Sequence, residues 1–144
     1  MRKYELPPFL EPILTQANYE RWLLRKAMAH VRRDRKRGNQ PATSEIYRMA
    51  IHKAVCSSNG KDDYTGEPLD WKLTSKYDNQ ESNNGKRKYK AQFALLPTVD
   101  HVGDGLGPAD FKICAWRTND AKGDLSLSEF IDLCERVVEA NATA

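Results

Sequence analysis

The architecture turns on Leu96-Pro97-Thr98-Val99-Asp100-His101-Val102. An apolar, strand-like run ends in an acid followed at once by a histidine. On a regular strand, neighbouring side chains point to opposite faces. Both can serve one site only if the chain bends there, and Gly103, Gly105 and Gly107 just after them make a bend easy. Asp100 would then hold a divalent cation through a hard oxygen. His101, of a residue type neutral near pH 7, could take a proton from water. A histidine is more often a hydrogen-bonded structural residue, so the pair needs company.

That company lies downstream, in Ile113-Cys114-Ala115-Trp116-Arg117-Thr118-Asn119-Asp120-Ala121-Lys122-Gly123-Asp124. A short strand is predicted over residues 111–114 and a short helix over 116–122, stopped by Gly123. Asn119 and Lys122 are three apart and share a helix face. Asn119 offers a carbonyl oxygen to a cation, and Lys122 or Arg117 could meet a phosphate.

Four pieces then stand in order: Tyr64-Thr65-Gly66-Glu67-Pro68-Leu69, Asp100-His101, Phe111-Lys112-Ile113-Cys114 and Asn119-Asp120-Ala121-Lys122-Gly123. Together they resemble the HNH endonuclease family, whose core is the ββα-metal fold. The resemblance covers residues 62–124, under half of the chain. It implies that Asp100 is a metal ligand, that His101 is the general base activating the attacking water, and that Asn119 is the second metal ligand. It further implies one Mg²⁺-like ion (Mn²⁺ or another divalent ion being alternatives) that bridges the scissile phosphate and stabilises the leaving oxygen. Cleavage would leave a 5′-phosphate and a 3′-hydroxyl.

Two departures stand out. Asp110 occupies the place of the family's middle asparagine. It either accepts the same kind of hydrogen bond or adds a charge near the metal. The paired cysteines that bind zinc in many relatives are missing from the turn at residues 62–66, and only Cys114 stands near the later pair. No structural zinc is expected, and hydrophobic packing by Trp71, Trp116 and the last helix is expected in its place.

The rest of the chain frames this core. With 144 residues and 40% apolar composition it is one domain with a modest core. No run of apolar residues is long enough for a transmembrane helix, and residues 1–14 lack a signal pattern, so a cytoplasmic location is expected. Three cysteines, Cys56, Cys114 and Cys134, are an odd count without CxxC, which fits reduced buried thiols.

Charge is unevenly placed. Residues 17–37 carry a net +6 and residues 123–144 a net −4. Arg21, Arg25, Lys26, Arg32, Arg33, Arg35, Lys36 and Arg37 form a basic helix that suits a phosphate backbone or is simply a solvated face. Membrane-surface binding is disfavoured, because the apolar face of that helix is needed for the core.

Residues 4–14, with three prolines, read as an extended arm. A helix from about Asn18 to Gly38 buries Tyr19, Trp22, Leu23, Ala27, His30 and Val31. A second, from Thr43 or Ser44 to about Cys56, turns Ile46, Met49, Ala50 and Ala54 inward. His52 is expected at the surface. Trp71, Leu73 and Tyr77, and again Tyr89, Ala91, Phe93 and Leu95, sit at odd positions, and this spacing with Asn83-Asn84-Gly85 between predicts a hairpin. Lys86, Arg87, Lys88 and Lys90 after its tip could reach a groove or keep an edge strand soluble. A last helix opens at Ser126 with a capping box to Glu129, and its stripe Leu127, Phe130, Ile131, Cys134, Val137 and Val138 reads as core.

The expected fold is therefore α+β, a ββα-metal core flanked by helices. Residues 1–60 form the basic, nucleic-acid-gripping helical segment, and residues 61–144 form the nuclease core with its C-terminal helix. The expected function is metal-dependent hydrolysis of nucleic acid, double-stranded DNA foremost. A non-catalytic nucleic-acid-binding module of the same fold is the alternative. A domain docking its basic helix on an acidic protein partner is a third.

Overall fold

The computed structural model describes residues 3–75 and 91–142. The fold is α+β. Among the described residues, α1 (Gln16–Lys36) and α2 (Ser44–Ser58) precede strands β1 (Pro97–His101) and β2 (Phe111–Ala115), and α3 (Trp116–Lys122) and α4 (Leu127–Asn141) follow. The strands pair antiparallel, with Pro97 opposite Ala115 and His101 opposite Phe111.

Helix α1 starts two residues before the expected Asn18, because the Thr15 hydroxyl accepts from the Asn18 amide and caps the first turn. It buries the six residues that the spacing predicted and also Asp34, which the spacing did not predict. Helix α2 is capped the same way by Thr43. Its buried face is Tyr47, Ile51, Ala54 and Val55. Ile46 and Met49, expected inward, are each 52% exposed. Apolar residues lie on both sides of this helix, so apolarity alone did not set its phase. Tyr47 takes the inner position because its hydroxyl has a buried acceptor on α1.

One core cluster joins both halves of the chain. Tyr4, Leu10 and Leu14 of the N-terminal arm enter it with α1, α2, Leu69, Trp71, Val99, Phe111 and Ile113. The arm is not wholly extended, since Pro8–Leu10 form a 3-10 turn. Trp71 packs edge-on against Trp22 and donates to the Gly60 carbonyl.

Two expectations about secondary structure and packing fail. Trp71–Ser75 is a 3-10 helix, and residues 91–95 are helical or turn, so neither described arm of the expected hairpin is a strand. Three apolar residues at spacing two are too few to separate a strand from a tight turn. The Asp70 amide still bonds to the Leu95 carbonyl, which brings the two ends together. The tip, with Tyr77, Tyr89 and Lys90, lies outside the described residues.

Helix α4 forms with the expected capping box, yet it buries nothing. Leu127, Ile131, Leu133, Val137 and Val138 are 43–65% exposed, and Cys134 is exposed rather than a core thiol. Cys56 is exposed too, so of the three thiols only Cys114 is buried. Amphipathic spacing states that a face is apolar, not that this chain covers it, and α1 and α2 already fill the core. Val138→Ser should therefore change stability by less than about 0.5 kcal/mol in urea unfolding. A loss above about 1 kcal/mol, the size of a core truncation, would mean that this face is buried. No helix among the described residues is long and apolar enough to cross a membrane.

Candidate functional site

The site lies where the two strands hand over to α3, which begins directly at Trp116 without a loop. Asp100 Oδ2 accepts from the Tyr64 hydroxyl at 2.6 Å and pairs with Lys122 Nζ at 3.1 Å. Lys122 also lies over the Tyr64 ring, 5.7 Å from its centroid. The side chains of Lys122 and Asp100 are 7% and 13% exposed, so this pair is largely shielded. Burial, and then the bond to Asp100, push the Tyr64 phenol above its ordinary range and keep it a donor.

Asp100, Asn119 and Lys122 line one polar cleft of ≈ 360 Å³, with Arg33 and Arg37 of α1 on its wall. Asp100 Oδ1 and the Asn119 side chain make no hydrogen bonds to the described residues. Two hard oxygens are thus left for a cation, although Lys122 is a competing positive charge beside one of them. Among the described residues no group of three His, Cys, Asp or Glu side chains could hold a metal ion.

His101 lines the same cleft, with its imidazole turned inward. The expected bend between it and Asp100 is missing, because β1 runs through His101 in register with Phe111. The imidazole is 4% exposed and stacks against Phe111, with ring centroids 4.6 Å apart. Its Nδ1 lies 2.6 Å from Asp34 Oδ2 and its Nε2 lies 2.9 Å from the Pro108 carbonyl. Both partners are acceptors: Nδ1–H donates to the Asp34 carboxylate, and Nε2 can donate to the Pro108 carbonyl only when it too carries a proton.

Asp34 Oδ2 also accepts from the Tyr47 hydroxyl at 2.6 Å, and burial with this bond pushes the Tyr47 phenol up. Asp34 Oδ1 is buried with no hydrogen-bond partner among the described residues. Gly105, at φ +86°, packs onto that oxygen so closely that a Cβ would sit 2.7 Å from it. Asp34 was not legible as a site residue, since an acid within a basic helix reads as a solvated charge.

The supporting residues divide. Arg117 pairs with Glu67 at the surface and does not line the cleft. Asp110 is exposed and lines a separate groove with Lys53 and Lys112. The main chain of Asp110, not its side chain, braces the strand end, since its carbonyl accepts from the Val102 amide at 2.8 Å. Arg21, Arg25, Arg32, Arg33, Arg35, Lys36 and Arg37 are all exposed. Lys86, Arg87 and Lys88 lie outside the described residues.

A buried carboxylate fixes the turn at residues 62–66. Asp62, 1% exposed, accepts from the Tyr64 and Thr65 amides at Oδ1. At Oδ2 it accepts from the Ala115 amide and the Thr118 hydroxyl. Of the three expected hydrophobic contributors, the two tryptophans pack in apolar clusters and the last helix does not. Trp71 belongs to the main core, Trp116 packs on the small Phe93–Leu96 cluster, and the last helix contributes no buried residue.

His30 is the core histidine that the helix spacing predicted. Its Nε2–H donates to the Val99 carbonyl at 3.0 Å, and Arg33 donates to Nδ1. Burial foremost, then the Arg33 charge, push it down to about 4. The unfolded chain therefore binds this proton at pH values where the fold refuses it. Stability is complete above about pH 6.5 and falls as pH drops toward 4. Urea unfolding at pH 5 should show about 2 kcal/mol less stability from this group than at pH 7. His30→Gln should show a shallower fall, and equal falls would assign the effect elsewhere. His52, expected at the surface, is half-buried and meets the Tyr19 hydroxyl through Nδ1.

No family model, no curated protein and no solved structure matches this chain.

Proposed function

We propose that the protein is a metal-dependent endonuclease with a ββα-metal core of the HNH type, acting on nucleic acid and on double-stranded DNA first. The observation that carries this reading is the convergence of Asp100, Asn119 and Lys122 with Arg33 and Arg37 on one cleft at the end of the strand pair. Arginines and a lysine supply phosphate contacts, and α1 extends them with exposed basic side chains that grip without reading sequence. Asp100 and Asn119 are the oxygen donors for a divalent cation, which when bound supplies charge stabilisation at the scissile phosphate. Lys122 holds Asp100 in place until then. His101 takes the proton of the attacking water at Nε2 once that nitrogen has left the Pro108 carbonyl and released its own proton to solvent.

A second reading, a nucleic-acid-binding module without chemistry, is favoured by one observation: both nitrogens of His101 are already bonded. Incubation of supercoiled plasmid with protein and Mg²⁺ or Mn²⁺, with and without EDTA, separates the two. Metal-dependent nicking that falls on the order of 10²–10⁴-fold in His101→Ala is expected. Salt-sensitive DNA binding without nicking by folded wild-type protein would establish the module instead.

A further inference from the structure

We propose that Asp34 is the positioning residue for His101. It keeps the proton on Nδ1, leaves Nε2 as the nitrogen that meets water, and is itself fixed by Tyr47. The proposal rests on the endonuclease reading above.

The geometry is specific. Asp34 and His101 are 67 residues apart, yet Asp34 Oδ2 lies 2.6 Å from Nδ1, with the two side chains 1% and 4% exposed. A carboxylate buried this deeply is costly, and it is kept where it holds a partner in one orientation. The Tyr47 hydroxyl at 2.6 Å and Gly105 packed on Oδ1 leave the carboxylate little freedom.

With Nδ1–H held, only Nε2 is available for exchange, and its present partner is a loop carbonyl. That carbonyl belongs to Pro108, one residue beyond Gly107 in the glycine-containing connection between the strands. Nε2 first gives up to solvent the proton it shows to Pro108; water then replaces the carbonyl, and Nε2 takes a proton from that water while the water oxygen bonds to phosphorus. The P–O3′ bond breaks, and the leaving oxygen takes a proton from solvent to become the 3′-hydroxyl. The imidazolium so formed faces the Asp34 carboxylate, which stabilises it.

The test measures kcat and KM for metal-dependent nicking, and Kd for uncleaved DNA in EDTA, in wild type, Asp34→Asn, Tyr47→Phe, His101→Ala and the Asp34→Asn/His101→Ala double variant. Asp34→Asn should lower kcat on the order of 10–100-fold, with KM and Kd within about twofold. In the double variant it should cost nothing beyond His101→Ala, because its effect passes through the imidazole. Tyr47→Phe should lower kcat several-fold, and it decides the matter alone if Asp34→Asn does not fold.

Wild-type nicking with unchanged kcat in Asp34→Asn and Tyr47→Phe would overturn this proposal and leave the endonuclease reading standing. A further loss in the double variant would also overturn it, by showing a role separate from His101. Absence of nicking by wild type would overturn both.

Discussion

Asp62→Ala should lower the thermal midpoint by roughly 10 °C or more, the largest effect expected from a single polar side chain here. The substitution removes the acceptor of three main-chain amides and one hydroxyl at once. Leaving buried donors unpaired costs about 1–3 kcal/mol each, partly recovered where water enters. A net loss of about 3–5 kcal/mol follows, at roughly 2–4 °C per kcal/mol for a chain of this size. Asn in its place would aim an amide donor at the same donors and should fare little better. Asp63→Ala is the comparison. Asp63 is exposed, and among the described residues its side chain accepts from the Ile113 amide alone, at 2.9 Å. That loss should be about 1 kcal/mol. Equal shifts in the two melts would refute the assignment of Asp62 as the clamp between the turn and the strand–helix junction.

Asp100→Ala should damage both stability and cleavage, and the two can be separated. It strands the Lys122 ammonium, 7% exposed, without its carboxylate. Breaking a buried pair costs about 3–5 kcal/mol, and the 13% exposure of Asp100 places this one nearer 2–3 kcal/mol by letting water reach it. The double variant Asp100→Asn/Lys122→Met removes the stranded charge and should recover most of that stability. On the endonuclease reading, cleavage should stay lost in the double variant, on the order of 10²-fold or more below wild type, and below Lys122→Met alone, because Asp100 would be the cation's charged oxygen donor. Recovery of nicking together with stability would mean that Asp100 serves only the ion pair.

Local signals carried much of the architecture. Thr43 and Ser126 cap their helices and Gly123 stops α3 where the residue types suggested, whereas Thr15 starts α1 earlier than the reading placed it. The spacing of α1 named six of its seven buried residues. Asn119 and Lys122 reach the same cleft because a three-residue step on a helix keeps them on one face, whatever surrounds it. Where the signal was weaker, the reading failed. The hairpin expected from Trp71, Leu73, Phe93 and Leu95 rested on period two over very short stretches, and Ile46 and Met49 rested on apolarity in a helix with two apolar sides.

Neighbours within a turn or two of chain were enough to place most of the local structure. This covers where the helices begin and end, the α+β class, the order of the strand pair and α3, and the polar face that α3 presents. Partnership between distant side chains was decided only by the tertiary structure. Asp34 meets His101, Asp62 meets Ala115 and Thr118, and Tyr64 meets Asp100 only after α1, the turn at residues 62–66 and the strands are packed. A carboxylate has the same local signature whether it ends in solvent or in a core. Its environment is set by what folding places against it, which is also why the apolar stripe of α4 was legible and its exposure was not.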